Sequence, residues 1–349
     1  MTRQTWSAIV AAVIFVVTAA LIAFVSIPFV AWTPGTTHDL LGSGEDGQPM
    51  IRVEALATYP TPGQLRLTTV SQTRADSHLS LPEALLDYML PDRDVLPRET
   101  VYEAGKASAQ VEQEEKRLMT GAQNDAVVAA LREAGQPVAE FPRIVAVRTS
   151  GPSNGKLEPG DVVLTVDNEP VSMPIDVAER VRRKAVGEKV VVGVRRHGRT
   201  ETVTIDLAPS VNDGRVPTIG VSLDIGYSYN ARVSYAIDPQ IGGSSGGLVF
   251  AVAIYDRITA RPLINGRSVA GTGTINARGE VGGIGGIHQK IAGAEAAGAQ
   301  IFLVPAANCA DAAGLSTSVR LVKVTTLSEA VAALRDLQDP AREPAVPRC

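Results

Sequence analysis

The sequence predicts a multi-domain α/β (α+β) protein, with an N-terminal transmembrane helix, a β-rich domain and then an α/β domain. Three observations predict it. No charged residue occurs from Trp6 to Trp32, residues 136–209 are rich in strand patterns, and strands alternate with helices from residue 210 onward. A chain of 349 residues is long enough for two modest domains and one anchor.

The uncharged run near the N-terminus predicts a membrane anchor. As a helix, the run up to Ile27 is long enough to cross the ~30 Å hydrocarbon core of a bilayer. Pro28 then interrupts the helical pattern. Both tryptophans bracket the run, as in an aromatic belt. The alternative is a cleaved signal peptide, whose apolar region is normally shorter. Arg3 is the only charge before the run and favours a cytoplasmic N-terminus.

These features predict a single-pass cell-membrane protein with the bulk of its chain outside the cytoplasm. The expected segments are a cytoplasmic N-terminus at 1–5, an anchor at 6–32, a strand and helical segment at 33–135 that packs on the last domain, a β-rich domain at 136–209, an α/β domain at 210–339 and a Pro-rich tail at 340–349.

Composition excludes several function classes. The net charge of −4 and pI near 5.7 argue against nucleic acid, which requires a basic face. No G-x-x-x-x-G-K-[ST] motif is present, and the four histidines (His38, His78, His197 and His288) have no partner at i,i+4. We therefore expect neither a cofactor nor a metal.

The segment "GKLEPGDVVLTVDNEPV" resembles the G-x-L-x-x-G-D stretch of PDZ domains. The resemblance covers residues 136–209 and implies capture of an extended chain by strand addition. The carboxylate-binding loop departs from the family's G-L-G-F pattern, since the nearest segment is "AEFPRIVAV". A groove for internal or unfolded segments is therefore expected, and this loop does not decide whether free C-termini bind there. The alternative is a PDZ fold that serves only as a spacer.

A serine pair in "DPQIGGSSGGLVFAVAIYD" is the first candidate for catalysis. Both Gly242–Gly246 and the pattern shifted by one residue fit G-x-S-x-G, and apolar residues at helical spacing predict a helix beginning near Ser244. Free backbone N–H groups at such a helix start can stabilise an oxyanion. A glycine-rich loop with a serine N-cap explains this stretch equally well.

Two residues could act as the base. His288, with Asp256 between it and the serines, has the chain order of an α/β-hydrolase esterase. Lys290 follows glycines at a helix start and stands between Ile287 and Ile291, so burial should lower the pKa of its amine. A lysine on the surface of an amphipathic helix is the ordinary alternative.

The two segments "DPQIGGSSGG" and "GTGTINARGEVGGIGGIHQKIAGAEAAGAQIFLVP" resemble the two signatures of the Lon proteolytic domain (peptidase family S16). In the register that places Pro239, Gly242 and Gly246 on P-x-D-G-P-S-A-G, the resemblance implies Ser244 as nucleophile and Lys290 as base. It implies supporting roles for Thr272, Gly243 and Ser245, the last in the alanine position. Gln240, Ile241 and Gly243 depart from the family pattern.

The order of anchor, PDZ-like domain and Lon-type domain is similar to the membrane-anchored, PDZ-containing Lon-like serine proteases (the YlbL family). The resemblance implies an ATP-independent serine endopeptidase with a Ser-Lys dyad. It would cleave peptides or unfolded and misfolded proteins outside the cytoplasm and assemble as a homo-oligomer, a hexamer in the family. The alternative is an inactive Lon-like and PDZ scaffold that binds exported proteins.

Cys309 and Cys349 are the chain's two cysteines. In an oxidising compartment they are expected to form a disulfide that ties the tail to the last domain.

Overall fold

The computed structural model describes residues 2–44, 47–103 and 105–349, with the backbone alone at residues 23 and 24. The chain forms two compact units. One unit consists of Met1–Gln136 together with Ala231–Cys349, and the other is the segment between them, Pro137–Asn230. The second unit is therefore an insertion in the first.

The first part of the chain begins with a long helix and continues into mixed strands and helices. Its elements are α1 (Arg3–Phe24), β1 (Ser26–Ile27), β2 (Phe29–Asp39), β3 (Ile51–Glu54), β4 (Gln64–Gln72), β5 (Leu79–Ser80), α2 (Leu81–Met89), β6 (Asp94–Pro97), α3 (Arg98–Val101) and α4 (Ser108–Glu133). Gly135 follows α4 with a φ of 69°, the left-handed conformation that commonly ends a helix.

The inserted unit is β-rich. Its elements are β7 (Val138–Val147), β8 (Val162–Val166), β9 (Glu169–Pro170), α5 (Pro174–Arg182), β10 (Lys189–Arg196), β11 (Arg199–Asp206), β12 (Ala208–Pro209), β13 (Pro217–Thr218) and β14 (Val221–Tyr229). The main sheet has the order β11-β10-β8-β7-β14, with β9 paired to β8. Alternate valines of β10, together with Val163 and Val166 of β8, Ile144 and Val177, form part of its core.

The chain then returns to the first unit. The remaining elements are β15 (Arg232–Tyr235), α6 (Gly247–Ile258), β16 (Ser268–Gly271), β17 (Thr274–Ile275), β18 (Val281–Gly282), α7 (Ile287–Ala296), β19 (Ile301–Pro305), α8 (Cys309–Ala312), β20 (Arg320–Val324) and α9 (Leu327–Asp336), with short 3₁₀ turns at Ala306–Asn308 and Glu343–Ala345.

A six-stranded sheet joins the two parts of this unit, in the order β20-β19-β16-β4-β2-β6. Strands β4, β16, β19 and β20 run parallel, and β2 is antiparallel to both β4 and β6. Helix α6 is buried along nearly its whole length, which explains its almost continuous apolar sequence. Residues 33–135 and 231–349 thus share one core.

The predicted boundary at residue 209 is wrong. β14 comes after that boundary, yet it pairs with β7 along its whole length, from Val221 opposite Val147 to Tyr229 opposite Val138. Because the β-rich unit needs this strand to complete its sheet, it extends to Asn230.

The predicted end of the anchor is also wrong. Helix α1 ends at Phe24, and the following residues form β1 and the start of β2, where Val30 is fully buried. Trp32 belongs to β2, so the two tryptophans do not bracket a single helix. Among the described residues, α1 is the one helix long and apolar enough to cross a membrane.

The C-terminal tail is not a free extension. A disulfide joins Cys309 to Cys349, with their Cα atoms 5.0 Å apart. Lys323 N–H donates to the Pro347 carbonyl, and Val346 is buried. The tail therefore lies along β20 as part of the first unit, as the disulfide hypothesis requires.

Candidate active site

The serine pair lies in a loop that leads directly into α6. Gly246 is the N-cap residue, and Gly247 begins the helix. A Cβ on Gly247 would lie 2.9 Å from Ile275 Cγ2, and one on Gly246 would lie 2.7 Å from Leu67 Cδ1. Glycine at both positions therefore lets the start of α6 pack closely on the neighbouring strands, at the carboxyl end of β16.

Of the two serines, Ser245 is the one that contacts Lys290, the candidate base. Lys290 Nζ lies 2.7 Å from Ser245 Oγ, a hydrogen-bonding distance. Lys290 is the fourth residue of α7 and is 3% exposed. Burial lowers the pKa of its amine to about 8, so a minor neutral fraction is present near physiological pH and grows as the pH rises through that value. A neutral amine can accept the proton of the serine hydroxyl.

Thr272 connects the two members of this pair. Its side chain is fully buried, and its Oγ1 donates to the Ser245 carbonyl at 3.0 Å. Lys290 Nζ donates to the same hydroxyl oxygen, also at 3.0 Å. The Gly273 N–H adds a second hydrogen bond to the Ser245 carbonyl at 2.8 Å. Thr272 thus fixes the backbone of Ser245 and directs the lysine amine toward its hydroxyl.

The expectation that Ser244 is the nucleophile is not supported by this geometry. Ser244 precedes the residue whose carbonyl is held by Thr272 and Gly273, and its own carbonyl accepts from the Gly247 N–H at 3.3 Å. The structure favours the second G-x-S-x-G register, in which Gly243, Ser245 and Gly247 are the matching residues. The register chosen from the sequence aligned Pro239 with the first proline of the family pattern. That alignment depends on the length of the loop and does not show which serine contacts Lys290.

Helix α4 holds the loop on its other side. The Gly243 N–H donates to the Glu115 carbonyl at 3.1 Å, and a Cβ on Gly242 would lie 2.6 Å from Glu115 Cβ. Gly243 has a φ of 86°, so the turn uses the left-handed region that glycine tolerates. The Glu115 carboxyl is half-buried, which raises its pKa, and Gln72 Nε2 donates to it at 3.4 Å. Sequence patterns gave no signal for this contact.

His288 and Asp256, the other two residues of the alternative triad, make their contacts away from the serines. The His288 ring hydrogen-bonds the Asp311 carbonyl at 3.0 Å. Asp256 is fully buried near the end of α6, where its Oδ1 accepts from the Leu263 N–H, and burial raises its pKa. Asp256 lies 11 positions after Ser245 in the sequence, roughly 16 Å along a helix at 1.5 Å per residue. Neither residue is placed to serve the serines.

No metal-binding cluster occurs in the part of the chain that the structure describes: no three or more His, Cys, Asp or Glu side chains come together there.

The β-rich unit offers a second type of site. β14 is the last strand in its sheet, and its outer edge pairs with no strand among the described residues. It lies beside α5, and both pack on the core of this unit, β14 through the partly buried Val221 and Leu223. By contrast β7, which contains the predicted "AEFPRIVAV" segment, lies between β8 and β14. β14 is therefore an edge strand, next to α5, that can accept an added chain.

Comparison with known protein families identifies both units. Residues 236–335 match the Lon protease (S16) C-terminal proteolytic domain, and residues 111–207 match the PDZ domain. The chain therefore contains a domain similar to the Lon proteolytic domain and a domain similar to PDZ domains. The PDZ match includes part of α4, which packs in the Lon-type unit, and stops before β14; strand pairing places the PDZ unit at Pro137–Asn230.

The curated relatives of this Lon-like chain are Lon proteases. It is 42% identical over 94 residues to Lon protease 1 of Sorangium cellulosum, covering 26% of this chain and 11% of that protein. It is 41% identical over 78 residues to Lon protease 2 of Herpetosiphon aurantiacus, covering 22% and 9% respectively. The chain therefore spans about a tenth of the length of these relatives.

The solved structures similar to this Lon-like chain include PDZ domains. The PDZ domain of the SdrC-like protein from Listeria monocytogenes is 21% identical, with a TM-score of 0.22, and the match covers 24% of this chain and 86% of that domain. The HtrA-type protease AlgW, solved with a decapeptide, is 32% identical, with a TM-score of 0.18, over 18% of this chain and 20% of that one.

Proposed function

We propose that this Lon-like chain is a membrane-anchored serine endopeptidase in which Ser245 is the nucleophile and Lys290 its general base. The observation that carries the proposal is the 2.7 Å separation of Ser245 Oγ and Lys290 Nζ, with the amine buried and its pKa lowered to about 8. These are features of an activated nucleophile, namely a base in contact whose pKa lies near neutral pH.

Acylation follows from this arrangement. The neutral Lys290 amine takes the proton of Ser245, and Oγ attacks the carbonyl carbon of the scissile peptide bond. The developing oxyanion needs donors, and the backbone N–H groups of Ser244, Ser245 and Gly246 donate to no acceptor among the described residues. They also lie at the start of α6, where the helix dipole favours negative charge.

The remaining steps use the same groups. Protonated Lys290 gives its proton to the leaving amine as the C–N bond breaks, which yields the acyl-enzyme and the first peptide product. Water then attacks the ester, with Lys290 again acting as base, and releases the second product with Ser245 restored. Thr272 keeps the amine directed at Oγ throughout, because its hydroxyl oxygen accepts from Lys290 at 3.0 Å.

Unfolded proteins or peptides are the proposed substrates. The chain has no G-x-x-x-x-G-K-[ST] motif, so we propose cleavage without ATP, on segments that are already extended. The free edge of β14 would capture such a segment by main-chain hydrogen bonds, which depend little on sequence.

We also propose that α1 anchors the chain and that the bulk of it lies outside the cytoplasm. The folded residues directly after α1 support an uncleaved helix, since removal of residues up to 32 would take away β1 and the start of β2. The Cys309–Cys349 disulfide supports an oxidising compartment.

Peptide hydrolysis by single variants of the full chain tests the dyad. Ser245→Ala and Lys290→Ala should each lower kcat by about 10⁴-fold or more, because members of a catalytic unit fail together. Ser244→Ala is the matched control, a neighbouring serine with the same atoms removed, and should retain activity, as should His288→Ala. Inactivity of Ser244→Ala with full activity of Ser245→Ala would reverse the assignment, and hydrolysis absent from the unaltered chain would favour the binding scaffold.

A further inference from the structure

Helix α2 has an apolar face that is largely exposed in the described part of the chain. Four of its nine residues are large, apolar and well exposed: Leu85 (56%), Leu86 (59%), Tyr88 (78%) and Met89 (80%). At the ~100° per residue of an α-helix, these four positions fall on one side. A contiguous exposed apolar face of this kind marks a surface that contacts another molecule or a membrane.

The polar residues of α2 are turned away from this face or tied down. Asp87 is buried on the inner side, and Arg93 Nη1 lies 2.6 Å from its Oδ1. Glu83 forms a capping box with Ser80, accepting from the Ser80 N–H at 3.0 Å. The exposed face between them therefore presents apolar side chains without an unpaired charge.

The inner side of α2 fixes the helix to the Lon-type unit. Ala84 is buried with Ala31 of β2 and Leu79 of β5, and Ile27, Phe29 and Val95 pack around this cluster. Because α2 cannot turn its outer face inward without breaking the cluster, the exposure of Leu85, Leu86, Tyr88 and Met89 belongs to the folded unit.

The position of α2 identifies the partner. Leu81, its first residue, donates its N–H to the carbonyl of Val25, the C-cap of α1, at 3.2 Å. β1, which follows α1, pairs with β5, which precedes α2, through Ser26 opposite Ser80 and Ile27 opposite Leu79. The two helices also contact each other directly. α2 therefore begins at the level where α1 leaves the bilayer.

We infer that the exposed face of α2 (Leu85, Leu86, Tyr88 and Met89) lies in the interfacial layer of the membrane that α1 spans. Apolar side chains on one side of a short helix enter the boundary between headgroups and acyl chains, and tyrosine is a residue enriched at that depth. α2 would be a second attachment next to α1, holding the Lon-type unit against the lipid surface. The inference rests on the membrane anchorage proposed above.

Depth-dependent fluorescence quenching tests the inference with the full chain in lipid vesicles. Both native cysteines are paired, so a single engineered thiol can carry an environment-sensitive label such as NBD. Met89→Cys reports on α2 and Phe15→Cys on α1, while Ser328→Cys, at an exposed position of α9, is the matched control. Brominated phospholipids, with bromine near the headgroup end of the acyl chains, are the quenchers.

The label at 89 should be several-fold brighter in vesicles than the label at 328, and brominated lipid should quench it while leaving the label at 328 unchanged. Quenching at 15 but not at 89 would overturn the inference and leave the anchor intact. Quenching at neither position would contradict both the proposed membrane anchor and the inference about α2. A bright label at 89 that is insensitive to brominated lipid and dims as protein is diluted in lipid would assign the face to a second copy of the chain.

Discussion

The lowered pKa of Lys290 comes from burial rather than from a neighbouring charge. The fall of its pKa to about 8 is caused by desolvation, and its two side-chain partners, Ser245 and Thr272, are neutral hydroxyls. The shift favours the amine over the ammonium form because a charge in this site would lack a counterion. One packed helix start thus supplies both the position of the base and its protonation state.

The pH dependence of hydrolysis should follow this amine. Because the depressed pKa belongs to a cationic acid, the group is charged and inactive below pH about 8 and becomes active as pH rises through that value. The kcat/KM of the full chain should therefore rise toward a plateau above pH about 8, in both the unaltered chain and His288→Ala. A profile that turns near a histidine's ~6.5 and disappears in His288→Ala would contradict the lysine assignment.

The residues of the site were predictable from sequence to different degrees. Lys290 and Thr272 lie in a long motif whose glycines fix the register, and the structure brings both residues together. A glycine-rich loop offers two equivalent patterns for the serine. The contact of Lys290 with Ser245 and the tether of the Ser245 carbonyl to Thr272 and Gly273 favour the serine one residue after the predicted one. The support from Glu115 connects positions far apart in sequence and leaves no local signal.

At the scale of elements, the disulfide between Cys309 and Cys349 should stabilise the Lon-type unit. The disulfide joins residues that are 40 apart in sequence. For a closed loop of that length, the chain-entropy model gives a stabilisation of about 3–4 kcal/mol. Urea unfolding of the purified chain should show a loss of that size on reduction. The double variant Cys309→Ala and Cys349→Ala should unfold at one midpoint regardless of reductant. Two free thiols by mass spectrometry in unreduced protein would contradict the pairing.

The edge strand β14 gives a prediction about substrate capture. In the inactive Ser245→Ala chain, an unfolded polypeptide should slow amide hydrogen exchange in β14, because the added strand takes up N–H groups that face solvent. β11 is the matched control, since it is the other edge of the same sheet and, among the described residues, pairs with β10 alone. Protection of β11, with β14 unchanged, would place the groove elsewhere.

Most strands and helices were predictable from sequence periodicity, but the pairing of the strands was not. The segments "MIRVEAL" and "GQLRLTTV" predict strands, and His197-Gly198 predicts a hairpin turn. They occur as β3, β4 and the β10–β11 connection. His197 and Gly198 both have positive φ, as a tight hairpin turn requires. β14 was recognisable as a strand, but its pairing with β7 connects the end of the unit to its beginning and cannot be inferred from local pattern.

At the scale of the whole molecule, the proposed topology predicts that the bulk of the chain is accessible from outside the cell. Protease added to intact spheroplasts should digest the part after α1, while a cytoplasmic marker protein survives. Protection of that part would reverse the orientation. N-terminal sequencing of the mature protein should find the residues of α1 present, and a start near residue 25 would identify α1 as a cleaved signal.

The hexamer implied by the Lon resemblance stays a prediction at this scale. Sedimentation of the detergent-solubilised chain would measure its state directly, and a monomer that hydrolyses peptides at the full rate would show that the dyad needs no second copy.

The central claim is that Ser245, activated by Lys290, forms the acyl-enzyme. Its most direct test is reaction of the full chain with a serine-directed phosphonate, followed by fragmentation mass spectrometry of the peptide that contains both serines. The phosphonate should be found on Ser245, persist in Ser244→Ala, and be absent from Ser245→Ala and Lys290→Ala. An adduct on Ser244 that persists in Ser245→Ala would contradict the account.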